Sequence, residues 1–94
     1  MLKIRTVCSN GLGSSLMCAT KVKKICATHG IEADVAQCAF SEAPAEKADL
    51  YLTMADMASD LAAQGFKALA IRSYTNATKL EEDILPTLLE LKNK

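Results

Sequence analysis

Apolar runs of strand length alternate with segments of helical period along the chain, and the connections between them are short. Residues 2–7 read as a strand, with Ile4 and Val7 suited to a sheet buried on both faces. Residues 14–28 read as a helix: Cys18, Ala19, Val22, Ile25 and Cys26 share one face, Lys21, Lys23 and Lys24 fall elsewhere, and Gly30 supplies the stop. A strand over 33–38 has Glu32, Asp34 and Gln37 in or beside it, which suits an edge position with one wet side. Pro44 marks a loop. Residues 49–53 form a short apolar strand, 55–64 a modest helix stopped by Gly65, and 66–71 a fourth strand with Leu69 and Ile71 on one face. Thr78, with Glu81 three residues on, has the capping-box pattern that opens a last helix; Leu80, Ile84, Leu88 and Leu91 form its buried stripe. Pro86 inside that stretch predicts a kink, or a first turn that begins later than the pattern suggests.

This alternation specifies an α/β chain, a single domain over residues 1–94, with a four-stranded parallel sheet flanked by helices. The predicted strand order is 2-1-3-4, in which the winding direction reverses beside strand 1. The crevice at such a reversal lies at the carboxyl end of that strand, where Cys8 follows.

Composition narrows the function. The chain has 94 residues, 50% hydrophobic and 23% charged, an ordinary balance for one globular core. Its 11 basic and 11 acidic residues cancel, and 4% aromatics offers little for base stacking, so no nucleic acid is expected as a partner. No apolar run reaches the roughly 18 residues needed to span a bilayer. The opening Met1-Leu2-Lys3-Ile4-Arg5 lacks the layout of a signal peptide, and the expectation is a cytoplasmic protein. Cys8, Cys18, Cys26 and Cys38 contain no Cys-x-x-Cys pair and His29 is the single histidine, which argues against zinc. Three of these thiols read as core residues and one as chemistry; no metal or cofactor is expected.

The chemistry lies in Cys8-Ser9-Asn10-Gly11-Leu12-Gly13-Ser14-Ser15. Successive amides from Ser9 to Ser15 can converge on an anion, because Gly11 and Gly13 permit the backbone angles and close approach of a nest. The following helix N-terminus adds about half a positive charge, and Ser14 and Ser15 can donate hydroxyl hydrogen bonds. The same field favours the thiolate of Cys8, the nucleophilic form. The result is an anion-binding loop of phosphatase-like layout with a nucleophile in its rim.

Several relatives in chemistry do not fit. A Walker loop needs a lysine before its terminal hydroxyl, a dinucleotide fingerprint needs a glycine where Leu16 stands, and a cysteine phosphatase needs an arginine where Ser14 stands. Without that arginine no bidentate clamp grips the phosphoryl oxygens, and no Asp lies between Ser73 and Thr78 to protonate a leaving alcohol. The loop is built to hold a phosphoryl group on sulfur without hastening its hydrolysis.

The loop resembles the phosphocysteine loop of IIB components of the bacterial phosphoenolpyruvate-dependent sugar phosphotransferase system. It is most similar to the ascorbate type, in which a Cys-x-Asn-Gly-x-Gly-Ser-Ser loop follows the first strand; Ser9 departs from the glycine common there. The galactitol and lactose/cellobiose types share the layout but less of the loop sequence. The resemblance implies a phosphorelay: a IIA phosphohistidine donates to Cys8, and Cys8 donates to an ascorbate-like sugar held by the membrane IIC component. It implies Cys8 as the phosphorylated residue and the loop from Ser9 to Ser15 as the phosphate-binding site. It also implies a four-stranded parallel sheet with flanking helices. A small cysteine phosphatase or arsenate-reductase-like enzyme is the alternative reading, and a non-catalytic anion-binding module a third.

The remaining candidates are weighed against packing. A helix over 14–29 is about 22 Å long at 1.5 Å per residue, which puts His29 at the far end from Cys8 as a helix-end residue. Cys38 ends a strand beside Cys8; it reads as core, with a redox disulfide as the competing role. Leu12, Leu16 and Met17 fall away from the buried stripe and beside the loop, where a partner must exclude water during transfer. They read either as a docking patch or as packing against loops.

Overall fold

The computed structural model describes residues 2–8 and 14–92. The strands are β1 (Leu2–Cys8), β2 (Ala33–Ala39), β3 (Leu50–Thr53) and β4 (Ala68–Ala70), all parallel in the order β2-β1-β3-β4. The helices are α1 (Ser14–Thr28), the short α2 (Ala43–Glu46), α3 (Ala55–Ala63) and α4 (Ala77–Lys92). The predicted fold class and strand order are those found.

Strand β1 alternates between two cores because successive side chains leave opposite faces of a sheet. Ile4 joins Cys18, Val22, Ile25, Leu50, Leu52, Ile84 and Leu88 in the larger cluster under α1 and α4. Val7, on the other face, joins Cys38, Ala43, Tyr51 and Leu61 under α2 and α3. Both central strands are therefore buried on both faces, which is why they read as continuous apolar runs.

Helices α1 and α3 stop by the same device. Gly30 takes φ +68° and Gly65 φ +95°, a region that costs glycine little. The next N–H then reaches back five residues, Ile31 to the Cys26 carbonyl at 2.8 Å and Phe66 to the Leu61 carbonyl at 3.1 Å. That is the Schellman closure, as the two glycines predicted.

Other expectations are corrected at the ends of elements. Asn76, not Thr78, caps α4: its Oδ1 accepts the Lys79 N–H at 3.0 Å, and the helix opens at Ala77. α4 already runs from Ala77 through Pro86, which is exposed, so its first turn does not begin later than the pattern suggests. Pro44 is not in a loop but in the first turn of α2, where its missing N–H costs no helical hydrogen bond. The fourth strand is trimmed from 66–71 to three residues, with the Phe66 N–H spent on the Leu61 carbonyl at the end of α3 and its ring edge-on to Tyr51.

Candidate active site

Cys8 is the last residue of β1, half-buried, at the carboxyl edge of the sheet. β1 lies between β2, reached through α1, and β3, reached on the other side. This is the reversal of winding at which open α/β sheets bind ligands. Helix α1 opens at Ser14, so its N-terminus faces the same edge.

The predicted phosphate-binding residues Ser9, Asn10, Gly11, Leu12 and Gly13 lie outside the described residues, as does the docking role given to Leu12. Ser14 and Ser15 form the first residues of α1. Leu16 and Met17 follow them, 56% and 50% exposed, while Cys18 and Ala19 beyond are buried. The helix thus presents two large apolar side chains to solvent at the end nearest Cys8.

The other three cysteines are core residues. Burial pushes the Cys18 thiol up to about 12 and the Cys26 thiol upward as well. Cys38 is pushed up to about 11, first by burial and then by the carboxylates of Glu46 and Glu42. Register decides the question of a Cys8–Cys38 disulfide. Cys38 pairs with Val7 and Cys8 with Ala39, so the two sulfurs leave opposite faces of the sheet. Cys38 packs with Val7 and Tyr51, and a bond to Cys8 would require β1 or β2 to turn over.

His29 follows the far end of α1 and pairs with Glu81 of α4, Nε2 to Oε2 at 3.1 Å. It ties two helices together, as its predicted place at the end of α1 allows. Lys21 and Lys24 line a shallow groove between the same two helices with Thr28, Thr78 and Glu81. Among the described residues no group of three His, Cys, Asp or Glu side chains is placed to hold a metal ion. Nor is any described helix long and apolar enough to cross a membrane.

Two further residues meet the site that pattern alone does not reveal. The Val7 carbonyl, directly before Cys8, accepts hydrogen bonds from Thr53 Oγ1 at 2.8 Å and from the Tyr74 hydroxyl at 2.7 Å. Thr53 ends β3, and Tyr74 stands in the connection between β4 and α4. The rule that carboxyl ends of strands line the crevice is the signal that points to them. Arg5, by contrast, belongs to the scaffold. Buried on the opposite face of β1 from Cys8, it donates to Glu46 Oε1 at 2.5 Å and to the Asp34 carbonyl at 2.9 Å.

A family model described as "PTS system, Lactose/Cellobiose specific IIB subunit" matches residues 3–85. Among solved structures, the lactose-specific IIB component domain of the phosphoenolpyruvate:carbohydrate phosphotransferase system from Streptococcus pneumoniae is similar, with a TM-score of 0.63. That match has 17% identity and covers 95% of this chain and 95% of that one, a likeness of fold. No curated protein matches the chain. These findings correct the ascorbate-type expectation. It rested on the few residues of the Cys8–Ser15 loop, whereas the lactose/cellobiose match spans both cores and all four strands.

Proposed function

The chain belongs to the family of lactose/cellobiose-specific IIB subunits of the phosphotransferase system, and from that premise we propose that Cys8 is the residue that carries the phosphoryl group. A IIB subunit is a phosphotransferase that passes phosphate toward a sugar bound by a IIC component. The finer reading assigns the donor, the acceptor and the loop.

In this reading the Cys8 thiolate attacks the phosphorus of a IIA phosphohistidine. The S–P bond forms as the P–N bond breaks, and the imidazole nitrogen keeps the electron pair. In the second step a hydroxyl of a lactose- or cellobiose-class sugar, held by IIC, attacks the same phosphorus. The S–P bond breaks, sulfur leaves as thiolate, and the hydroxyl proton passes to a base of the IIC partner. The amides of the loop from Ser9 to Ser15 hold the phosphoryl oxygens throughout, helped by the partial positive charge at the start of α1. Leu16 and Met17 form the apolar rim against which each partner seals the site. Exchange with both partners places the work in the cytoplasm.

The observation that supports this most is the position of Cys8 at the carboxyl end of the strand where winding reverses, with the α1 N-terminus facing that edge. Its test is labelling from a phosphohistidine IIA protein. The label should appear on Cys8, be released by iodine as S–P bonds are, and vanish in Cys8→Ser, whose hydroxyl supplies no appreciable alkoxide near neutral pH. Label on His29 or on a serine overturns the assignment. Rapid hydrolysis of an aryl phosphate, with no uptake from IIA, favours the phosphatase reading instead.

A further inference from the structure

The two pairings of β1 end at different places. With β2 it continues to Cys8↔Ala39, but with β3 it stops at Thr6↔Leu52. Past that last rung the Val7 carbonyl is met by side chains instead of backbone. Thr53 Oγ1 donates at 2.8 Å and the Tyr74 hydroxyl at 2.7 Å, the two oxygens lying 3.2 Å apart. A carbonyl oxygen has two lone pairs, and both are engaged. The two hydroxyls together bridge the point where β3 leaves β1.

Tyr74 is itself braced. Ser73 Oγ accepts the N–H groups of Thr75 and Asn76, each at 3.2 Å. Arg72 fastens the start of the turn to α4, its N–H donating to Asp83 Oδ2 at 3.1 Å and its Nε to Asp83 Oδ1 at 3.0 Å. Thr53 is fully buried, and the Tyr74 ring packs on the core under α1 and α4. The turn therefore presents one hydroxyl to one carbonyl in a fixed place.

We propose that Thr53 and Tyr74 are positioning residues for phosphoryl transfer at Cys8, fixing the Val7–Cys8 peptide from which the sulfur is aimed. The proposal rests on Cys8 as the phosphoryl acceptor. A peptide unit is planar, so holding its oxygen also fixes the nitrogen and Cα of Cys8. An in-line displacement depends steeply on where the nucleophile stands, with a misplacement of about 1 Å costing on the order of a hundredfold. Both hydroxyls are spent on the backbone, so they act through the cysteine.

The test is steady-state transfer from a phosphohistidine IIA protein of the lactose/cellobiose type, through the wild-type chain or Tyr74→Phe, Thr53→Val or Thr53→Ser, to a lactose- or cellobiose-class sugar held by a IIC component. Tyr74→Phe and Thr53→Val should each lower kcat about tenfold while KM for the donor stays within about twofold, the signature of a lost transition-state contribution. Thr53→Ser, which keeps a hydroxyl, should recover most of that loss. The Cys8 amide resonance should move in the two impaired variants. Wild-type kcat in both, a change in KM alone, or equal loss in Thr53→Ser and Thr53→Val overturns the proposal. Should Tyr74→Phe fail to fold, the Thr53 pair decides alone. If the wild-type chain takes no phosphate on Cys8, the function proposed above falls and this inference with it. If the wild-type chain is labelled there and the variants match its kcat, only the positioning role falls.

Discussion

Four cysteines of one chain divide by burial into different chemistries. Cys18 and Cys38 have their thiols pushed up to about 12 and about 11, and Cys26 is displaced in the same direction. Iodoacetamide on the folded protein at pH 7.5 should therefore modify Cys8 well before the other three; mapping of alkylated peptides checks this. Early modification of Cys18 would show that α1 opens readily. The raised thiols also predict a pH dependence. An acid whose folded pKa exceeds its unfolded value stabilises the fold fully below the unfolded pKa and loses that contribution as pH rises toward the folded one. Unfolding midpoints in urea should thus be flat from about pH 6 to 8 and fall above about pH 9. Cys18→Ala should flatten that fall, although the smaller side chain lowers the plateau. Sequence made the division legible for Cys18 and Cys26, which share the helix stripe. For Cys38 it left core and redox roles open, because spacing along the chain does not state register. Pairing of Val7 with Cys38 settles the matter by turning the two sulfurs to opposite faces.

At the scale of elements, periodicity identified every strand and long helix, while their ends followed local hydrogen bonding. Gly30 and Gly65 were legible as stops because a positive φ is close to a property of the residue. The capping-box pattern points to Thr78 and misses Asn76, since both residue types can cap and the path of the turn from Arg72 chooses between them. Asn76→Ala should cost about 1 kcal/mol, as loss of a helix N-cap does, whereas Thr78→Ala should change little; chemical unfolding of the two variants compares them. Helix α1 offers a different test. Leu16 is 56% exposed at the end nearest Cys8, and the proposed apolar rim depends on it. Leu16→Asp should keep the unfolding free energy within about 0.5 kcal/mol, as exposed substitutions usually do. Transfer from IIA or to the sugar should slow severalfold. A variant that transfers at the wild-type rate with both partners would remove the docking role from Leu16.

On the scale of the whole molecule, the order β2-β1-β3-β4 makes β1 a platform held from both sides, with one core under α1 and α4 and a second under α2 and α3. That order was legible because short connections between parallel strands admit few right-handed windings. The Thr53–Tyr74 hydroxyl pair was not, since the two residues lie 21 apart in sequence and meet only after β3 and β4 are side by side. Close-packed cores resist displacement, so a charge added at the edge should be absorbed there. On phosphorylation of Cys8 the amides of residues 9–15 should move strongly, because a phosphoryl group of nearly two negative charges would recruit together the N–H groups of the proposed phosphate-binding loop. The amides of Val22, Leu69 and Leu88, deep in or against the α1/α4 core, should barely respond. The Thr53–Tyr74 pair makes the contrast sharper, because it holds the peptide between the loop and the sheet. Tyr74→Phe should let the perturbation spread back along β1 to Thr6 and across to Leu52. Amide spectra of the phosphorylated wild type and variant measure that spread directly. Equal spread in both would mean that the two hydroxyls do not insulate the platform.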